Sequence, residues 1–216
     1  MSKNPLFDLN CRRCPRLSQF LDEVGREYPD YHARPVEPFG VKTPKLLIVG
    51  LAPGMHGANA TGRPFTGDYA GVLLYETLFK YGFSSKSISE SLNDGLKLKH
   101  CRITNAVKCL PPQNKPTGGE VTTCNTFLQA EIASLPQQAG LLALGSVAHS
   151  AIIKALNLKA KDYPFGHARV HQPEAGPWII DSYHCSRYNT QTRRLTEAMF
   201  HQVFALARER IEAVSV

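Results

Sequence analysis

Short apolar runs alternate along this chain with longer stretches in which apolar residues recur every three or four positions. KLLIVGL at 45–51 carries Ile48 and Val49 and ends in glycine, the pattern of a parallel strand buried on both faces. In GVLLYETLFKYG, Val72, Leu73, Tyr75, Leu78 and Phe79 fall at helical spacing and Gly82 suits a helix stop. CRITNAV at 101–107 is the next strand candidate. Thr117 and Glu120 stand at capping-box spacing ahead of TTCNTFLQAEI. GLLALG at 140–145 reads as another strand, with Ser146 capping a helix through SVAHSAIIKALNL. PWIID at 177–181 is the fourth strand, and Leu195, Met199, Val203 and Leu206 mark one face of a last helix.

This alternation predicts an α/β fold of three layers, α/β/α, around a central, mainly parallel four-stranded sheet, in a single domain spanning 1–216. Parallel neighbours require crossover connections, and the crossover helices cover the sheet. Ligand sites in such sheets lie beyond the carboxyl ends of the strands. That rule singles out the loop after residue 50, Asn105, and His184 just past the fourth strand.

Composition changes this picture little. Of 216 residues 43% are apolar and 20% charged, ordinary for a folded soluble protein. The first residues, MSKNPLFDLNCRRCPRL, lack the apolar core of a signal peptide, and no run approaches a membrane span. A cytoplasmic protein without a membrane partner is expected. The net charge of +7 suits a polyanionic partner, although excess lysine and arginine also describe a solvated surface.

Six cysteines in a reducing compartment point to metal or catalysis rather than disulfides. Cys11 and Cys14 form C-x2-C, and Cys109 and Cys124 form C-x14-C. Together they offer the four thiolates that a [4Fe-4S] cluster or a zinc ion accepts, and the residues alone do not choose between them. Pro15 and the CLPP stretch limit the backbone beside the ligands, while Arg12, Arg13 and Lys108 offer positive charge. Cys101 reads as core. Cys185 reads as non-catalytic, because neighbours on an extended segment point opposite ways and its neighbour is His184.

The segment GLAPGMHGANATGRPFTGD at 50–68 holds five glycines. It has neither the GK[ST] of a phosphate-binding loop nor the G-x-G-x-x-G of a dinucleotide fold. Phe65 offers a stacking face, Arg63 a cation, and Asp68 the segment's one carboxylate. His56, His149, His167 and His171 receive no role.

This segment resembles the first motif of the uracil-DNA glycosylase superfamily, nearest to its family 5, the broad-specificity B-type enzymes. ITNAVKCLPPQNKPT and SYHCSRYNTQTRRLT resemble two further blocks of that family in the same order. The four cysteines match the [4Fe-4S] ligands that these enzymes and the related family 4 carry.

The resemblance implies a monofunctional glycosylase that rotates uracil, and also hypoxanthine or other deaminated bases, out of DNA and leaves an abasic site. Gly50, Leu51, Ala52, Pro53 and Gly54 would shape the base pocket, Phe65 would stack on the base, and Asn105 would read its Watson–Crick edge. His184 would donate a hydrogen bond to uracil O2 as charge develops there. Leu51 stands where family 4 has an acid, so Asp68 would orient water or stabilise the sugar cation. Arg187, Tyr188 and Asn189 would line the DNA strand or replace the flipped base. The family's H-P-S is His184-Cys185-Ser186 here, and the glycine of T-G-R-L-T is Arg193. The chain is expected to act as a monomer. Two other readings are a non-catalytic iron-sulfur DNA-binding protein and a zinc-containing nucleotide-binding enzyme, which metal content would distinguish.

Overall fold

A computed structural model describes residues 6–213. Its strands are β1 (Phe39–Gly40), β2 (Leu46–Gly50), β3 (Cys101–Asn105), β4 (Gly140–Leu144), β5 (Val170–His171) and β6 (Trp178–Ser182). Its helices are α1 (Pro15–Glu27), α2 (Ala58–Thr61), α3 (Tyr69–Lys80), α4 (Gly118–Ala133), α5 (Ser146–Ala155), α6 (Arg187–Gln191) and α7 (Glu197–Ala213).

The sheet runs β1-β3-β2-β4-β6-β5. The inner four strands are parallel, as their continuous apolar runs predict, and β1 and β5 close the edges antiparallel. The sheet therefore has six strands rather than four. Each added strand is two residues long, too short to carry a periodic signal.

Alternation along the inner strands builds the layers, because successive side chains leave opposite faces. Leu46, Ile48, Ile103, Leu142 and Ile180 meet α3 and α7 through Leu74, Leu78, Phe200 and Phe204. Leu47, Val49, Leu141, Ala143 and Ile179 meet α4 and α5 through Leu128, Ile132, Ala148 and Ile152. A smaller third cluster joins Leu17, Leu21 and Val24 of α1 to Val107, Leu110 and Phe127.

Local signals succeed where side-chain chemistry sets the element. Thr117 and Glu120 form the predicted capping box, Thr117 Oγ1 accepting from Glu120 N at 3.3 Å and Glu120 Oε2 accepting from Thr117 N at 2.7 Å. Ser146 does not cap α5. Gly145 takes the cap position with φ +98° and Ser146 is the first helical residue. On α3, Leu74, Tyr75 and Leu78 face the core while Val72 and Phe79 are exposed. On α7 the buried stripe is Phe200, Val203, Phe204, Ala207 and Ile211, with Met199 and Leu206 at its flank. No helix among the described residues is long and apolar enough to cross a membrane.

Candidate functional site at the strand ends

Register places the ends of the inner strands at one edge, Gly50 beside Asn105 and Leu144 beside Ser182. A cleft of about 410 Å³ opens above them, lined by residues that include Leu51, Ala52, Gly54, Phe65, Asp68 and Tyr69. Asn105, Asn114, His184, Ser186 and Arg187 also line it. Its volume lies within the range of about 300–1000 Å³ usual for small-molecule sites.

Backbone constraints assemble the cleft floor. A Cβ on Gly50 would lie 2.4 Å from Asn105 Oδ1 and 2.6 Å from Phe65 Cζ, so only glycine admits both side chains. A Cβ on Gly71 would lie 1.9 Å from the Phe65 carbonyl oxygen, and Phe65 itself has φ +54°. The Phe65 and His184 rings are 5.9 Å apart between centroids, with 29° between their planes.

Asn105 is almost fully buried, and its Oδ1 has no hydrogen-bond partner among the described residues. The His184 imidazole is half-buried, and burial pushes its pKa down to about 4. It is therefore neutral at pH 7. Its backbone is braced, since Asn189 Nδ2 donates to the His184 carbonyl at 2.8 Å. Asp68 caps α3 by accepting from Gly71 N at 2.8 Å, and burial raises its carboxyl pKa, opposed by these backbone bonds.

A second cavity is lined by Cys11, Cys14, Cys109 and Cys124 together with Leu17, Val107 and Phe127. All four are free thiols. Burial raises the pKa of Cys14 and Cys109, and the neighbouring cysteines add to it. Burial likewise raises Cys124, which nonetheless accepts a hydrogen bond from Lys108 N at 3.3 Å. Thiols crowded in an apolar cage repel one another once ionised, so the donor set fits a bound cationic centre.

The expected charge offset is present in part: the Lys108 charge and its backbone N–H both oppose the rise at Cys124, and the Arg13 charge opposes it at Cys14. Lys108 Nζ turns to Thr104 and Glu131, Arg12 pairs with Asp22, and Arg13 Nη1 donates to Thr126 Oγ1 at 3.1 Å.

The Uracil DNA glycosylase superfamily model matches residues 37–208. A type-5 uracil-DNA glycosylase of Thermus thermophilus is 44% identical over 204 residues, covering 92% of each chain. A type-5 enzyme of Mycobacterium leprae is 41% identical over 92% of this chain and 90% of its own. One from Pyrobaculum aerophilum is 40% identical, with coverages of 92% and 88%. The chain belongs to the uracil-DNA glycosylase superfamily.

Within this superfamily member, Leu51, Ala52, Gly54, Phe65, Asp68, Asn105, His184 and Arg187 share the cleft. Gly50 lies beneath it and Pro53 is buried outside its lining. Tyr188 projects from α6 with 70% of its surface exposed, whereas the Asn189 side chain turns inward to His184. Arg63 does not serve the cleft. Its guanidinium is buried against Asp94 at 2.9 Å and lies over the Phe39 ring at 4.4 Å.

Cys101 is core, as its strand position predicts. Cys185, which the resemblance sets at the family's proline position, is buried and its Sγ donates to the Ala70 carbonyl at 3.4 Å, tying the His184 segment to α3. Arg193, which the resemblance sets at the family's glycine position, has φ +58°. The sequence reading gave no role to Tyr69 and Asn114. Asn114 lies in the second quoted block, and Tyr69 adjoins Asp68, so position in the motifs was the signal for both.

Proposed function

We propose that the chain is a monofunctional uracil-DNA glycosylase of the iron-sulfur class, hydrolysing the N-glycosidic bond of uracil flipped out of DNA. The observation that carries the reading is the unpaired Oδ1 of Asn105 in a cleft shared with Phe65 and a neutral His184. A buried acceptor without a partner costs about 1–3 kcal/mol, and the N3–H of uracil offsets that cost. An amide also matches the neighbouring carbonyl on the same edge.

The Phe65 ring supplies apolar surface for the base. As the bond from C1′ to N1 breaks, its electron pair leaves with the base and negative charge grows at O2, where His184 N–H stabilises it. The sugar becomes oxocarbenium-like, Asp68 orients water or stabilises that cation, and water adds to C1′. The base takes its proton from solvent.

No lysine among the described residues lines the cleft, in keeping with chemistry that forms no Schiff base and leaves the abasic strand intact until alkali breaks it. The cleft volume also admits the bicyclic hypoxanthine. Arg187 and Tyr188 are exposed, which suits contact with the DNA backbone and filling of the vacated stack. Cys11, Cys14, Cys109 and Cys124 would hold a [4Fe-4S] cluster, which would tie the start of α1 to α4 and the segment after β3 and would supply no electron to a hydrolysis.

The test incubates cluster-loaded protein with end-labelled duplexes containing a single U, hypoxanthine or T opposite G, before and after alkali, beside a His184→Ala variant. Alkali-dependent cleavage at U that falls in the variant supports the reading. Loaded protein that binds the U duplex and releases no base overturns it.

A further inference from the structure

A second cluster of ligand-bearing side chains joins α5, β5 and β6. His149 of α5, His171 of β5 and Asp181 of β6 are all buried, and their ligand atoms fall within 4.8 Å of one another. None of the three lines the cleft or the thiol cage.

Hydrogen bonding fixes which atoms face the centre. His149 Nε2 is 2.8 Å from the Tyr163 carbonyl oxygen, and a carbonyl only accepts, so that nitrogen carries the hydrogen. His149 Nδ1 then points to Asp181 Oδ1 at 2.8 Å, while His171 Nε2 approaches Asp181 Oδ2 at 3.2 Å. Gly166 N donates to the same Oδ2 at 3.2 Å and steadies the carboxylate. Phe165 packs edge-on against His149, and Tyr163 against His171, so the centre is walled by rings.

Two imidazoles and a carboxylate converging from three elements form a donor set suited to zinc. The remote N–H of His149 held by a backbone carbonyl is the outer contact that metal-binding histidines usually make. A nitrogen lone pair facing an ionised carboxylate is repulsive, so Nδ1 must hold either a proton or a metal ion. We propose that His149, His171 and Asp181 form a zinc-class structural site, distinct from the four cysteines, with water as the remaining ligand. Asp181 stands three residues before His184 on one continuous segment. A metal here would pin the end of β6 to α5 and β5 and hold that segment in place.

The test uses cluster-loaded protein, stripped of loosely bound metal by a mild chelator and dialysed against micromolar zinc. Zinc and iron are counted per chain after gel filtration, beside His149→Gln and His171→Asn variants checked for iron content and circular dichroism. One zinc retained per chain with iron unchanged, thermal unfolding raised by several degrees, and zinc affinity at least tenfold weaker in both variants are expected. Wild-type protein that retains no zinc overturns the proposal and leaves a proton-held His149–Asp181 pair. So does retention unchanged in folded variants. The wild-type count alone decides if a variant fails to fold.

Discussion

Asp68 and His184 both carry ionisable groups into the cleft wall, and each sets a function against stability. The Asp68 carboxylate caps α3 through Gly71 N, yet burial raises its pKa. Its charge therefore opposes folding at neutral pH. In Asp68→Asn the amide oxygen still caps and the buried charge is gone, so the variant should melt no lower than wild type. Its single-turnover release of uracil should fall by about 10²-fold or more. Unchanged release would reduce Asp68 to a cap. For His184 the sign follows from a folded pKa of about 4 against an ordinary value near 6.5. As pH falls from about 6.5 to 4, the unfolded chain takes a proton that the folded chain refuses, so stability contributed at neutral pH is lost. Denaturation midpoints of wild type and His184→Gln, followed over that window, should show wild type losing ground to the variant on acidification. A constant difference would mean that His184 titrates normally.

Turns and strand ends carry the next level of constraint. Gly50→Ala forces a methyl group against Asn105 Oδ1 and Phe65 Cζ, both under 3 Å from it. Since β2 is fully buried, the side chains must move instead, and uracil release should drop at least tenfold with the fold retained by circular dichroism. Activity at the wild-type level would show that the cleft floor yields. Arg193 presents the opposite case, a long side chain at φ +58°. The left-handed region costs an ordinary residue about 1–2 kcal/mol, part of which glycine returns as chain entropy. Arg193→Gly should therefore raise stability by up to about 1 kcal/mol in urea unfolding, with the midpoint as readout. The four inner strands and the capping box were legible because burial on two faces and side-chain capping write themselves into the sequence locally. β1, β5 and the inward turn of Arg63 were not, because they depend on partners elsewhere in the chain. Gly40 pairs with Arg102, and Arg63 finds Asp94 across a loop. For the cleft, motif order marked Phe65, Asp68, Asn105 and His184, but spacing held nothing to indicate that Asn189 braces His184.

Across the molecule, stability is divided unequally among three apolar clusters. The two large ones grip the sheet from either face and contain none of the four cage cysteines. The third holds α1 against the segment after β3 and against α4, with Cys109 and Cys124 inside it and Cys11 and Cys14 packed against it. If a cluster bridges those thiols, its binding free energy is spent on docking α1, because ligands scattered over the chain converge only in the folded state. Local opening then has a boundary that hydrogen exchange can map. Removing iron by chelation, or replacing Cys109 with serine, should abolish the brown absorbance and speed exchange at 15–27 and 107–124. Strands β2 and β6 should exchange nearly as slowly as in loaded protein, because their two faces stay packed. Uniform acceleration over the sheet would mean that the cage supports the whole fold. No change in exchange after iron is lost would mean that Leu17, Leu21 and Val24 dock α1 without it.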